Sequence, residues 1–150
     1  MKNEQEQNMN NLTIKKASRL PLREEILQFE LANKIKFPID FFNFLMKFNP
    51  IEIEERYFVL NNISKELDIF YPFNIEHDLS LQSIFNNLNE IMFQNRYVAF
   101  GGDLGGWKFI ISVQEVDYGS VYFCRTDEDL EDSIIFLAES FDNFLSMLVK

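Results

Sequence analysis

Two side chains of this sequence belong to types that often act as nucleophile or base, His77 and Cys124, and each type occurs once. Cys124 lies in an apolar stretch that predicts a strand, where a thiol usually behaves as a small buried hydrophobe. His77 directly precedes a predicted helix, where a polar capping role is common. A Cys–His dyad needs both groups to meet in space, and a tetrahedral zinc site needs several His or Cys ligands. The sequence therefore predicts no enzyme activity, no cofactor and no metal.

The glycine-rich run Gly101-Gly102-Asp103-Leu104-Gly105-Gly106 has the composition of a phosphate-binding loop. It lacks the Lys-Ser or Lys-Thr pair of a P-loop, and a strand pattern follows it instead of a helix. Because no helix dipole would complete an anion site, we expect a hairpin turn in which glycines adopt positive φ. Asp103 at the tip of this turn is then available to a partner.

Five carboxylates fall within six residues, at Asp127, Glu128, Asp129, Glu131 and Asp132. The run lacks the glycine and the terminal bidentate Glu of an EF-hand loop. Three interpretations stay open, namely a solvated acidic loop, a surface that recognises a basic protein, and a weak divalent-cation site.

The charge of the chain is strongly negative and unevenly placed. The formal net charge is −10. Residues 1–50 carry eight Lys or Arg and six Asp or Glu, a balance of +2, and residues 51–150 carry six and eighteen, a balance of −12. Nucleic-acid binding needs a basic surface, so nucleic acid is not expected as a direct ligand. An acidic field attracts basic partners, although charge also serves solubility alone.

Composition and length predict one domain with a full core. The chain has 150 residues, of which 47% are hydrophobic and 17 are Phe, and this length is that of one ordinary domain. No apolar run approaches the roughly 20 residues of a membrane span. Residues 1–11 are polar, so we expect a flexible tail. They also lack the apolar stretch of a secretory signal, so export is not expected. A lone Cys suits a reducing compartment, and the cytoplasm is the expected location.

Apolar residues at helical spacing predict four helices. The first covers 22–33, and the second begins at Pro38 and forms a hairpin with the first. The third covers 79–93, with Ile91 on its apolar face, and is capped by Asp78 or Ser80. The last is capped by Ser140. On these helices we expect six side chains to be largely buried: Phe41, Leu45, Phe85, Leu88, Phe141 and Phe144.

Alternating patterns with Gly or Asn turns predict the strands. The predicted ranges are 56–60, 69–73, 97–100, 107–113, 121–125 and 134–137, with Asn61-Asn62 as one turn. The fold class is therefore α+β, a single domain over 1–150. Its mainly antiparallel or mixed sheet is flanked by the N-terminal helical hairpin, the middle helix and the C-terminal helix.

Three segments, in order along the chain, resemble the SUKH superfamily of Smi/Knr-type domains. The first is residues 29–45, with Glu30 on a helix, the Phe37-Pro38 pair, then Asp40 and Phe44-Leu45. The family usually continues with Asn-Gly, where this chain has Asn49-Pro50. The second is the apolar strand and glycine turn at 98–106, followed by a Gly-x-Val-Tyr strand at 119–122. The third is 137–145, similar to the family's Ala-x-Ser-Phe-x-x-Phe-Leu entry into its last helix.

This resemblance implies a non-catalytic domain that binds another protein. Bacterial members are widely regarded as immunity proteins that neutralise toxin domains, many of them nucleases, in polymorphic toxin systems. The implied partner is a cognate toxin, expected to be basic. The alternative is a housekeeping scaffold or regulatory domain of the same fold, as eukaryotic relatives are thought to be.

The expected partner-binding surface is an acidic face at one edge of the sheet. We predict that it combines the 127–132 loop with Asp103 and with Glu115 or Asp117, on the assumption that their turns converge. Trp107 is the only Trp of the chain and would serve as an aromatic anchor, because Trp is enriched among interface hot spots.

Overall fold

Two consecutive helices open the part of the chain that carries the matched segments. The computed structural model describes residues 12–127 and 129–150, so the predicted tail at 1–11 and Glu128 lie outside the described residues. Helix α1 spans Arg23–Asn33 and α2 spans Ile39–Lys47. The guanidinium of Arg23 lies 5.0 Å from the ring centroid of Phe42, which links the two helices. Pro38 is predicted to be the first helical residue of α2. It is the N-cap residue instead, so the helix begins one residue later, at Ile39.

The main sheet has five antiparallel strands in chain order. Their ranges are β5 Ile69–Phe70, β6 Tyr97–Gly102, β7 Lys108–Ser112, β8 Val121–Cys124 and β9 Ile134–Ala138. The prediction of three consecutive antiparallel strands from 97 to 125 is confirmed. β5 is shorter than the predicted 69–73, because Pro72 has no amide hydrogen to continue the ladder.

Two small hairpins accompany this sheet. β1 (Ile14–Ala17) pairs with β2 (Pro50–Ile53), and β3 (Tyr57–Leu60) pairs with β4 (Ile63–Glu66). Asn61 and Asn62 form the predicted turn, with φ of 51° and 65°. Two consecutive positive φ values are typical of the hairpin turn that matches strand twist. The turn leads into β4, which the sequence does not predict, because β4 is polar and largely exposed.

The remaining helices lie between the strands. Helix α3 spans Leu81–Leu88 and is capped by Ser80, whose Oγ accepts from Ser83 N at 3.0 Å. The next turn, Asn89–Phe93, is π-helical. This wider turn shifts the helical face, so Ile91 is 77% exposed although the apolar spacing places it with the core. A short helix α4 (Leu130–Ser133) lies in the acidic loop, and α5 (Phe141–Met147) is capped by Ser140 as predicted.

Aromatic rings form the centre of the core. Phe100 on β6 packs edge-on against Phe141 of α5 at a centroid distance of 5.1 Å, and Phe141 packs against Phe41 of α2 at 5.0 Å. Of the six predicted core residues, five are buried and Leu88 is half-buried. The two helices therefore pack over the central strands of the sheet, which leaves the ends of the sheet to the loops.

Candidate functional site

The predicted site residues lie at opposite ends of the five-stranded sheet. Lys108, directly after the Asp103 turn, pairs with Cys124, directly before the acidic loop. Asp103 and the loop therefore share one end. Glu115 and Asp117 lie in the β7–β8 connection, at the other end of β7. The expectation that all these turns converge is wrong, because each strand of an antiparallel sheet carries its two connections at opposite ends.

Asp103 closes the β6–β7 hairpin. Its Oδ1 accepts from Trp107 N at 2.9 Å, and its own N–H donates to Trp107 O at 3.0 Å. Gly106, inside this turn, has the positive φ that was expected of a glycine here, at 87°. Gly102 is also required, because a Cβ at this position would lie 2.3 Å from the Tyr71 hydroxyl. The turn is thus held in one conformation, with the Asp103 carboxylate half-buried at its base.

Trp107 is half-buried beside this turn. Its ring contacts Phe123 edge-on at a centroid distance of 5.7 Å. Phe123 is buried and also has the Lys65 ammonium 5.4 Å from its ring centroid. This ring face attracts a cation, because the ring quadrupole is negative above the plane.

Two acidic residues absent from the sequence prediction, Glu66 and Asp68, lie at the same end. The amide of Asp68 donates to Gly102 O at 2.9 Å, which places Asp68 next to Asp103 across the β5–β6 pairing. Glu66 ends β4 and forms an ion pair with Arg56 at 3.0 Å. The available signal was the Asn61-Asn62 turn, since a two-residue turn after β3 requires a returning strand that ends near Glu66.

The carboxyl groups of Asp68 and Glu66 interact with each other. Burial and the nearby charge of Glu66 raise the pKa of Asp68 to about 6, because both disfavour a second negative charge at this place. Both side chains border a shallow depression of about 230 Å³. Its lining consists of Ser64, Lys65, Glu66, Asp68, Asp103, Leu104, Gly105 and Phe123.

The acidic loop is organised by its backbone, and its carboxylates point outward. Asp132 N donates to Asp129 O at 3.0 Å, and the Arg125 guanidinium donates to Asp132 O at 2.9 Å. Asp127, Asp129, Glu131 and Asp132 are exposed. Among the described residues, no group of three His, Cys, Asp or Glu side chains is placed to hold a metal ion. We call the carboxylates of Glu66, Asp68, Asp103, Asp127, Asp129, Glu131 and Asp132 the acidic end.

At the opposite end, Asp117 has a structural role. Its Oδ1 accepts from the Ser112 hydroxyl, and its Oδ2 accepts from the Tyr122 hydroxyl. Burial, together with the negative charge of Asp117, raises the pKa of Tyr122, so this phenol stays a hydrogen-bond donor. Glu115 is exposed.

His77 and Cys124 are each placed in a structural setting. His77 Nδ1 accepts from Leu79 N at 3.1 Å in the turn before α3. Cys124 is buried in β8, with its Sγ 3.7 Å from the Ser133 hydroxyl. Burial raises the pKa of this thiol, which disfavours the nucleophilic thiolate.

Comparison with known proteins assigns the fold to a family. No described helix has both the length and the apolar character that crossing a bilayer requires. No curated protein matches the chain at a significant level. A SUKH family model described as SMI1-KNR4 cell-wall matches residues 23–145, from the first residue of α1 into α5. The matched range contains the five-stranded sheet and the whole acidic end. The chain therefore belongs to the SUKH superfamily, within its SMI1-KNR4 family.

Proposed function

We propose that this SUKH domain is an immunity protein, which binds a cognate toxin through the acidic end and blocks it without catalysing a reaction. SUKH proteins are commonly immunity proteins and are generally non-catalytic. The observation that carries the proposal is the gathering of carboxylates from three separate chain segments, 66–68, the Asp103 turn and the 127–132 loop, at one end of the sheet.

The acidic end suits a basic partner. Domains that act on nucleic acid hold the phosphate backbone with Lys and Arg, so their substrate grooves are positively charged. A surface dense in carboxylates competes with phosphate for such a groove and accelerates the encounter through long-range attraction. The toxin is thus expected to be a basic protein such as a nuclease domain, and nucleic acid itself is not expected as a ligand of this chain.

The depression beside the Asp103 turn gives this surface a specific feature. Lys65 lies over Phe123 there, with Asp68 and Asp103 on the same lining. A Lys or Arg side chain of the toxin can replace the Lys65 ammonium over the ring while pairing with a carboxylate. The buried free thiol of Cys124 suits the reducing cytoplasm, where we place the encounter.

The test uses the protein encoded by the neighbouring open reading frame. Both proteins are purified, and complex formation is measured by size-exclusion chromatography. The growth-inhibiting or nuclease activity of the neighbour is then titrated with this domain. We expect a stable complex and loss of toxin activity at equimolar ratio. The proposed function would be contradicted if the neighbouring protein kept its full activity in the presence of a molar excess of this domain.

A further inference from the structure

A groove of about 460 Å³ lies between α1, the start of α2 and the β7–β8 connection. Leu27, Phe37, Ile39, Phe42 and Tyr118 give it an apolar lining. Leu27, Ile39 and Tyr118 are exposed, whereas Phe37 and Phe42 form the buried floor. Because Tyr118 follows β7, this groove lies toward the end of the sheet opposite the acidic end.

The walls of the groove are fixed by hydrogen bonds between distant segments. The Tyr118 hydroxyl donates to Lys36 O at 2.8 Å, which ties the β7–β8 connection to the link between α1 and α2. Glu30, buried on α1, accepts from Phe37 N through Oε2 at 2.7 Å. These contacts hold the groove open in the isolated chain, so a ligand would meet a preformed surface.

Two cations lie at the rim of the groove, although the chain as a whole has a net charge of −10. Arg23 and Lys36 are exposed at its rim. The acidic residue of the lining, Glu30, is buried and engaged with Phe37 N. Asp40, next to Ile39, accepts from the backbone amides of Phe41 at 2.8 Å and Asp142 at 3.1 Å. An approaching ligand therefore meets two cations around an apolar floor.

Apolar surface continues beyond the groove in two directions. Leu31 lies one helical turn after Leu27 on the same face of α1 and is 82% exposed. Val116, close to Tyr118 in the same connection, is 87% exposed. A small molecule that filled the groove would leave both side chains in water, whereas a protein segment would cover them. The extent of the patch therefore favours a peptide-like occupant.

We propose that this groove is a second docking site, which takes a large apolar side chain from a partner segment with Asp or Glu beside it. The apolar side chain fills the space over Phe37 and Phe42, and the flanking carboxylates pair with Arg23 and Lys36. The inference does not rest on the immunity function, since the groove and the acidic end are separate surfaces. The two can be occupied together by two partners or by two regions of one partner.

The experiment selects binders for the full chain from a random peptide library displayed on phage. We expect the enriched peptides to carry Leu, Phe or Trp next to Asp or Glu. Their affinity, measured by fluorescence anisotropy, should fall at least about tenfold for Leu27→Asp, which places a carboxylate in the apolar wall. Ile75→Asp makes the same change at a position that is 71% exposed outside the groove and should leave binding unchanged.

A charge-reversed pair tests the two cations at the rim. Arg23→Glu with Lys36→Glu should weaken the acidic peptides at least about tenfold, whereas Lys15→Glu with Lys16→Glu, on exposed β1 positions, should not. Circular dichroism confirms that each variant is folded. The proposal is overturned if no peptide is enriched, if the enriched peptides are basic, or if Leu27→Asp binds them as wild type does. It is equally overturned if sedimentation shows a dimer that Leu27→Asp dissociates, because the groove would then hold a second copy.

Discussion

The side chain of Asn49 is hydrogen-bonded to the backbone of Phe73 on both sides of its amide. Its Oδ1 accepts from Phe73 N at 2.8 Å, and its Nδ2 donates to Phe73 O at 3.2 Å. Nδ2 also donates to the carbonyl of Arg19 at 2.8 Å. Asn49 is fully buried, so water cannot replace these bonds. One side chain thus joins the segment before α1, the end of α2 and the segment after β5.

Asn49→Ala is expected to destabilise the fold by about 2–4 kcal/mol, since it leaves the buried amide and the buried carbonyl of Phe73 without partners. Asn49 also has a positive φ of 40°, which Asn tolerates better than Ala. Urea unfolding followed by circular dichroism measures the change. As a control, Asn87→Ala on the exposed face of α3 should change stability by less than about 0.5 kcal/mol. A loss below about 1 kcal/mol for Asn49→Ala would show that the three segments are held by other contacts.

Two core phenylalanines give a second stability prediction. Phe85 and Phe144 are fully buried, so Phe85→Ala and Phe144→Ala should each cost about 3–5 kcal/mol through lost burial and cavity formation. Phe136→Ala is the matched control, because Phe136 is 52% exposed on β9 and should cost about 1 kcal/mol or less. Thermal melts compare the three variants. Equal losses for buried and exposed positions would contradict this description of the core.

Local patterns account for the parts of the fold that the sequence predicts well. Ser80 and Ser140 cap helices through bonds to residues three positions later, so both caps can be read from a short stretch of sequence. The strands from 97 to 125 are short apolar runs separated by glycine-containing turns, and this pattern is likewise local. β1 and β2 are not predicted because they pair 30 to 40 residues apart, β1 is mostly polar and exposed, and β2 is only four residues long. The α3 stripe is misread at Ile91 because the π-helical turn is not encoded in the spacing.

The same division explains the candidate site. The 127–132 loop is visible in the sequence because its charges are consecutive. The position of Asp68 beside Asp103 cannot be predicted in this way. It depends on the pairing of β5 with β6, between residues more than 30 positions apart. Glu115 and Asp117 are wrongly predicted to lie with the acidic loop for a related reason. A turn pattern does not show at which end of the sheet the turn lies. Composition therefore predicts an acidic surface, and only the strand order decides which carboxylates share it.

The raised pKa of Asp68, about 6, predicts how stability depends on pH. Between about pH 4 and pH 6, the folded state binds a proton at Asp68 that the unfolded state has released. Stability from this group is therefore highest below pH 4 and is lost as the pH rises through 6. Asp68→Asn removes the buried charge, so it should stabilise the protein at pH 7 by about 1 kcal/mol after screening, with no gain at pH 4.

Urea unfolding at pH 4 and pH 7 measures this difference, and carboxyl NMR titration reports the pKa of Asp68 directly. Glu66→Gln should lower the pKa of Asp68 toward its ordinary value, because it removes the neighbouring negative charge. Asp78→Asn, at an exposed position before α3, is the control and should show no pH-dependent gain. Equal stabilisation by Asp68→Asn at both pH values would refute the assignment.

Binding of the cognate toxin is expected to depend steeply on salt. Attraction between an acidic surface and a basic partner acts over a distance that added salt shortens to about 10 Å at 0.1 M. The association rate should therefore fall about tenfold between low and high salt, with the dissociation rate nearly constant. Surface plasmon resonance at several salt concentrations measures both rates.

Neutralising the acidic loop tests whether its charges attract the toxin or serve solubility alone. Replacing its five carboxylates by Asn or Gln should slow association about tenfold at low salt, flatten the salt dependence and leave the melting temperature nearly unchanged. The changes fall at Asp127, Glu128, Asp129, Glu131 and Asp132. A control variant with the same change of net charge neutralises five exposed carboxylates elsewhere: Glu24, Glu76, Asp78, Glu115 and Glu139. If both variants slow association equally, net charge alone guides the partner. If neither does, the loop serves solubility and the toxin docks on another surface.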